Sequence, residues 1–183
     1  MTELGSLAAD VGVNERTLRR AVREGTLRAV RPTPRTLALP LSERRYIRHK
    51  WQLLSRLRGA LRTEQNVRFA LLFGSAATDS DGSRSDVDLL VELRDPSLDR
   101  TVDLSSKLTS ILGRRVDVVR WGDAQVDPSF LLNAVADGRV LVDREKRWKR
   151  LQQQMSTSRV HGRAQRVERA RTALAGIDRL LGA

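Results

Sequence analysis

Three aspartates hold most of the chemical interest of this 183-residue chain. Asp86 and Asp88 flank a single valine in Ser85-Asp86-Val87-Asp88-Leu89-Leu90-Val91, which alternates before turning apolar. A strand of that pattern puts both carboxylates on one face, about 6–7 Å apart. Two such charges repel unless a cation lies between them, and an oxygen-preferring divalent ion such as Mg2+ meets that need. Asp117 sits between valines in RRVDVV (114–119). It reads either as a third carboxylate converging on the same ion from a neighbouring strand, or as an edge residue facing solvent. Other metal chemistries are poorly provided for. There is no cysteine, hence no disulfide framework and no Cys-ligated zinc. The two histidines, His49 and His161, are too few and too far apart for a His-rich site.

These residues need a scaffold. The apolar run VRFALLF (67–73) reads as a buried strand, and Gly74-Ser75 follow at once. Residues 98–112 (LDRTVDLSSKLTSIL) have helical periodicity and stop at Gly113, ahead of the Asp117 strand. SFLLNAVADGRVLVD (129–143) reads as a closing helix and strand.

Gly74-Ser75, ten intervening residues, Asp86-x-Asp88 and a later strand aspartate resemble the pattern of the polymerase-beta nucleotidyltransferase superfamily. More narrowly, FGSAATDSDGSRSDVDLLVEL with RRVDVV looks like the minimal nucleotidyltransferases, over residues 66–143. The resemblance implies an α/β (α+β) fold with a mixed sheet and flanking helices. It also implies a two-metal nucleotidyl transfer from ATP or another NTP. Gly74 would let the backbone approach the phosphates, and Ser75 would donate to the triphosphate. Asp86 and Asp88 would hold two Mg2+ ions, and Asp117 would ligate the catalytic one and help deprotonate the attacking hydroxyl. The loop departs from the family's usual Gly-Ser-Arg-Ala-Arg-Gly, with Ala76 and Thr78 at the Arg positions and Asp79 at the Gly. Asp81 adds another carboxylate. Two extra negative charges beside a triphosphate are unfavourable unless they face away, and Arg84 is a candidate to compensate them.

Upstream, residues 3–11 (ELGSLAADV) read as a short helix with Leu4, Leu7, Ala8 and Val11 on one face. Gly12 interrupts it, Asn14 can cap the next helix (15–24), and Gly25 ends that one. Leu18, Ala21 and Val22 point one way on the second helix, and Arg16, Arg19, Arg20 and Arg23 point the other. Short strands at 27–30 and 36–40 around the Pro-bearing turn 31–35 would form a wing. The stretch resembles the winged helix-turn-helix of MerR-like and excisionase-like proteins. That resemblance implies a recognition helix in the major groove, with Arg16, Thr17, Arg19, Arg20, Arg23 and Arg35 as DNA contacts.

The expected domains are a winged helix-turn-helix at 1–41, a connector helix at 42–65 capped by Ser42, the nucleotidyltransferase domain at 66–143 and a basic helical segment at 144–183. On the connector, Ile47, Trp51, Leu54, Leu57 and Leu61 recur at helical spacing. Arg44-x4-His49 formally matches the short RNase signature of HEPN proteins, a match expected by chance among 30 arginines. Net charge follows this division. The overall +12 resolves into +8 for residues 1–65, −4 for 66–143 and +8 for 144–183. The acidic excess belongs to the metal-site module, and the basic ends call for separate, polyanionic or protein partners. In the last segment Val160, Val167, Leu174 and Leu181 recur every seven residues beneath an Arg-rich face. That stripe suits self-docking, a homodimer or a partner protein.

Apolar runs fall far short of the roughly 18 residues of a spanning helix, and residues 1–30 lack a signal-peptide core. A cytoplasmic protein with no membrane contact is therefore expected. Small members of the resembled family often act as antitoxins that adenylylate helical HEPN toxins, and a DNA-binding module would suit autoregulation of such an operon. The leading expectation is a Mg-dependent enzyme transferring NMP, in particular AMP, to a protein acceptor. The alternative is a transcriptional regulator whose nucleotidyltransferase domain senses nucleotide without turnover. An aminoglycoside-type resistance enzyme fits less well, having no need of a helix-turn-helix.

Overall fold

Helices and strands follow one another up to Asp143 in a computed structural model that describes residues 3–33, 36–82 and 85–153. Helices α1 (Glu3–Asp10) and α2 (Glu15–Arg23) bury Leu4, Leu7, Ala8, Leu18 and Ala21 against each other and the following helix. Asn14 caps α2, its side-chain oxygen accepting the Arg16 N–H at 2.8 Å. After α2 the chain turns through Gly25 at φ +82°, a conformation that suits a residue without Cβ. Strands β1 (Val30–Thr33) and β2 (Thr36–Ala38) pair antiparallel. The first strand starts three residues later than expected. Thr26 and Leu27 are buried instead, and the Thr26 hydroxyl donates to the Val140 carbonyl at 2.6 Å.

Helix α3 (Leu41–Thr63) runs 23 residues, about 35 Å at 1.5 Å per residue. Its N-cap is Pro40 and no side chain caps it, so Ser42 lies inside the first turn and does not cap the helix. Proline serves at that end because its missing N–H would have had no helical partner. The expected stripe Ile47, Trp51, Leu54, Leu57 and Leu61 is buried, with Tyr46 added.

Strands β3 (Val67–Phe73), β4 (Val87–Leu93), β5 (Val116–Arg120) and β6 (Arg139–Asp143) form a mixed sheet in the order β5-β4-β3-β6. β3 is antiparallel to β4 and β6, whereas β4 and β5 are parallel. A parallel pair needs a crossover, supplied by α5 (Leu98–Leu112), which ends at Gly113 at φ +67°. Short helices α4 (Gly74–Thr78) and α6 (Trp121–Ala124) follow β3 and β5, and α7 (Pro128–Asp137) leads into β6. The sequence pattern did not signal α6. Central strands β3 and β4 are apolar runs buried along most of their length, and edge strand β5 is half-buried.

One apolar cluster joins α1, α2 and α3 to the sheet, so residues up to Arg147 pack as one unit. A second unit begins at Trp148, and its described residues, 148–153, are helical. The heptad stripe from Val160 onward lies outside the described residues, as do Arg35 and Arg84. No helix among the described residues is long and apolar enough to cross a membrane.

Candidate active site

The site residues expected from the sequence, Gly74, Ser75, Asp86, Asp88 and Asp117, gather at the end of the sheet where β3 finishes and β4 begins. In the parallel ladder Asp88 pairs with Asp117, and in the antiparallel ladder it pairs with Phe73. Cross-strand partners share a face, so Phe73, Asp88 and Asp117 form a row across three adjacent strands. Asp86 precedes β4 by one residue, on the face of Asp88. Of the two open readings of Asp117, both contain part of the result. It lies on an edge strand and its side chain is 42% exposed, yet it stands directly beside Asp88.

The row is charged against its own interest. Burial raises the Asp88 pKa, and the neighbouring Asp117 and Asp86 charges raise it further. A divalent ion with oxygen ligands relieves that repulsion, so the donor set fits the metal implied by the motif. Among the described residues no three acidic or imidazole side chains close into a ready-made metal cage. The triad is an acidic face on which ligands must still converge.

Gly74 lies directly against Asp88. It adopts φ +69°, and a Cβ there would stand 2.5 Å from Asp88 Oδ2. Only a residue without a side chain lets the β3–α4 turn pass so close to the carboxylate. Ser75 follows in the first turn of α4, with Ala76 and Ala77 buried behind it. Phe73 meets Phe130 of α7 edge-to-face, with ring centroids 5.4 Å apart, giving the row an apolar flank.

The two extra acids do face away from the triad. Asp79 takes the left-handed conformation at the end of α4 and lies within ion-pair distance of Arg45, His49 and Lys50 on α3. The Asp81 side chain is fully buried, held by Lys50 at 2.5 Å and Arg114 at 2.9 Å. Burial alone would push the Asp81 pKa up, but hydrogen bonds and charge from Lys50 and Arg114 prevail and lower it. Among the described residues compensation comes from Arg45, His49 and Lys50 of α3 and from Arg114, and the Arg84 expectation lies outside them. His49 and Arg44 of the formal HEPN match serve packing, His49 against Asp79 and Arg44 against Glu3 and the Leu39 carbonyl.

Arg115 was missed by sequence reasoning. Its Nε is 3.0 Å from Asp117 Oδ1 and 3.9 Å from Asp86 Oδ2. The signal was present, since residues two apart along a strand share a face.

Residues 56–147 match the family model described as polymerase beta, nucleotidyltransferase. The chain belongs to this family. The nucleotidyltransferase match opens inside α3 and takes in the whole four-stranded sheet. The chain is similar to a solved structure described as a toxin-antitoxin with AMP-PNP, at 22% identity and a TM-score of 0.47, covering 62% of this chain and 91% of that one. It is also similar to a chain of a solved structure described as a tri-AMPylated Shewanella oneidensis HEPN toxin in complex with MNT antitoxin, at 21% identity and a TM-score of 0.44, covering 64% of this chain and 92% of that one. A third, the toxin-antitoxin MntA-HepT, stands at 23% and 0.43, covering 63% and 92%. No curated protein matches the chain.

The expected DNA contacts on α2 are arranged as the periodicity required. Arg16, Arg19, Arg20 and Arg23 stand on the outer arc, away from buried Leu18 and Ala21, and Thr17 is half-buried. Arg19 is engaged by Glu15 one turn earlier, and Arg20 stands 4.0 Å from Glu24.

Proposed function

We propose that the chain is a Mg-dependent nucleotidyltransferase that moves an NMP group, in particular AMP from ATP, onto a protein acceptor. The observation that carries this reading is the register of Asp88 opposite Asp117, with Asp86 beside them and bare Gly74 against Asp88. Asp86 and Asp88 are the residues to hold two Mg2+ ions, with Asp117 shared by the catalytic one. Mg2+, when bound, neutralises the triphosphate and polarises the reacting oxygens. Gly74 and Ser75 leave room and donors for the phosphates. Asp117 takes the proton of the acceptor hydroxyl as its oxygen bonds the α-phosphorus and pyrophosphate leaves. The N-terminal helices bind DNA through α2, with Thr17, Arg19 and Arg20 among the contacts. The whole acts as antitoxin and autoregulator of a toxin–antitoxin operon, its acceptor a HEPN-like toxin. Support for that role comes from the minimal-nucleotidyltransferase motif order and from a basic helix-turn-helix pattern in the same chain. A homodimer through the segment after residue 153 is part of the same reading, as is a cytoplasmic location.

The test is transfer of label from ATP, with Mg2+, to a HEPN-like helical protein supplied as candidate acceptor. Wild type should label it and an Asp86→Ala/Asp88→Ala variant should not. Equal absence of label in both would overturn the enzyme reading.

A second reading draws on one observation. Arg139 donates both to the Ala77 carbonyl of α4 and to the Thr26 carbonyl behind α2. A side chain touching both the nucleotide-site helix and the helix-turn-helix suits a regulator that senses nucleotide without turnover. Nucleotide-dependent DNA binding by the Asp86→Ala/Asp88→Ala variant would favour it.

A further inference from the structure

We propose that Arg115 is the built-in counter-ion of the acidic face, competing with a divalent cation for Asp117 and Asp86 and then binding the triphosphate. The inference rests on the nucleotidyl-transfer reading and assigns a residue to it that the motif does not contain.

Adjacent Arg114 and Arg115 have opposite assignments. Arg114 is tied into the fold, its Nη2 donating to Asp81 Oδ2 at 2.9 Å and to the Ser85 carbonyl at 2.6 Å, with a side chain 24% exposed. The side chain of Arg115 is 71% exposed, and Asp117 and Asp86 are the partners the structure gives it among the described residues. Its guanidinium bridges two of the three carboxylates at the position where a shared cation gains most. A divalent ion drawn to the same oxygens would face a positive charge within a few ångströms, so the two occupants exclude each other. Once displaced, Arg115 remains at the mouth of the site. A guanidinium fork matches phosphate oxygens in bidentate geometry better than any other side chain. The cations missing from α4, where Ala76 and Thr78 stand, are then supplied from the start of β5.

The experiment is calorimetric titration of the full chain with Mn2+, without nucleotide, for wild type, Arg115→Ala, Arg115→Lys and Asp86→Ala/Asp88→Ala. Arg115→Ala should bind Mn2+ about two- to five-fold more tightly, the range for loss of one exposed ion pair. Arg115→Lys should stay near wild type. The Mn2+-loaded protein is then titrated with a non-hydrolysable ATP analogue, and Arg115→Ala should bind it more weakly than wild type. Unchanged or weaker Mn2+ binding by Arg115→Ala overturns the competition, and unchanged analogue binding overturns the triphosphate role. Failure of wild type to bind Mn2+, or equal binding by the double aspartate variant, would instead fell the metal-dependent reading itself. Thermal melts of each variant keep a folding defect from passing as a binding effect.

Discussion

Arg139 and Glu43 form a two-pronged ion pair in the interior, with Nη1 to Oε1 at 2.6 Å and Nη2 to Oε2 at 3.0 Å. Their side chains are 2% and 4% exposed. The remaining hydrogen-bonding capacity is used nearby. Arg139 Nε donates to the Ala77 carbonyl at 2.7 Å, and Glu43 Oε1 also accepts the Arg28 N–H at 2.9 Å. The Tyr46 ring lies 3.3 Å from the guanidinium carbon, and its hydroxyl donates to the Ala76 carbonyl. Burial raises the Tyr46 pKa against the opposing effect of the Arg139 charge, so the phenol stays a neutral donor. This cluster ties α3, α4, the turn after α2 and β6 together. Breaking a buried pair from one side leaves an unpaired charge, at a cost of about 3–5 kcal/mol. Arg139→Met and Glu43→Gln should each lose stability on that scale in urea unfolding. Replacing both at once should cost less than the sum.

Asp88 should show a trade between stability and activity. Its pKa is raised by burial and by Asp117 and Asp86, so ionising it works against the fold. For an acid with a raised native pKa, stability declines as pH rises through that value. Asp88→Asn should therefore melt a few degrees higher than wild type at neutral pH in the presence of a chelator. A 1 kcal/mol gain corresponds to roughly 2–4 °C for a chain of this size. The same variant should lose nucleotidyl transfer, and the stability difference should narrow on acidification.

Asp81 has the opposite sign. Lys50 and Arg114 outweigh burial and lower its pKa below the ordinary 3.8. Its contribution is fully present above that value and is lost as pH falls through the native one. Asp81→Asn should cost about 3 kcal/mol near neutrality, as for other broken buried pairs. The gap to wild type should close below roughly pH 3.8 in an acid-unfolding series followed by circular dichroism.

Gly74→Ala should damage the site twice. An alanine at φ +69° costs about 1–2 kcal/mol in backbone strain. Its Cβ would also push against Asp88 Oδ2. Metal affinity and transfer should fall together, while Gly113→Ala, with open space around its Cβ, should show the backbone cost alone in thermal melts.

DNA binding should depend most on the α2 arginines that no carboxylate holds. Among the described residues Arg16 and Arg23 have no acidic partner, whereas Arg19 is held by Glu15. Arg16→Ala/Arg23→Ala should reduce the salt dependence of binding to upstream DNA by about one unit of slope for each phosphate left without its arginine. Arg19→Ala should have the smaller effect. Salt-insensitive binding by wild type would remove the premise.

Much of what depends on neighbours along the chain was legible in the sequence, though not the short helix α6 or the Pro40 cap of α3. Strand β3 and helix α5 lie where their apolar periods put them, because alternation and helical spacing are local properties. Gly74-Ser75, Asp86-x-Asp88 and Asp117 could be read in the same way, because strand alternation alone puts residues two apart on one face. Other relationships exist only in three dimensions. Arg139 and Glu43 stand 96 residues apart, and nothing in either local pattern links them. The direction of Asp79 and Asp81 was open until α3 was seen to bring Arg45, His49 and Lys50 against them. Nor does periodicity reveal that Thr26 and Gly25 would bond to Val140, fastening the N-terminal helices to the sheet. A buried charge or carbonyl must find a partner wherever the fold provides one, so these pairings are settled by packing in space.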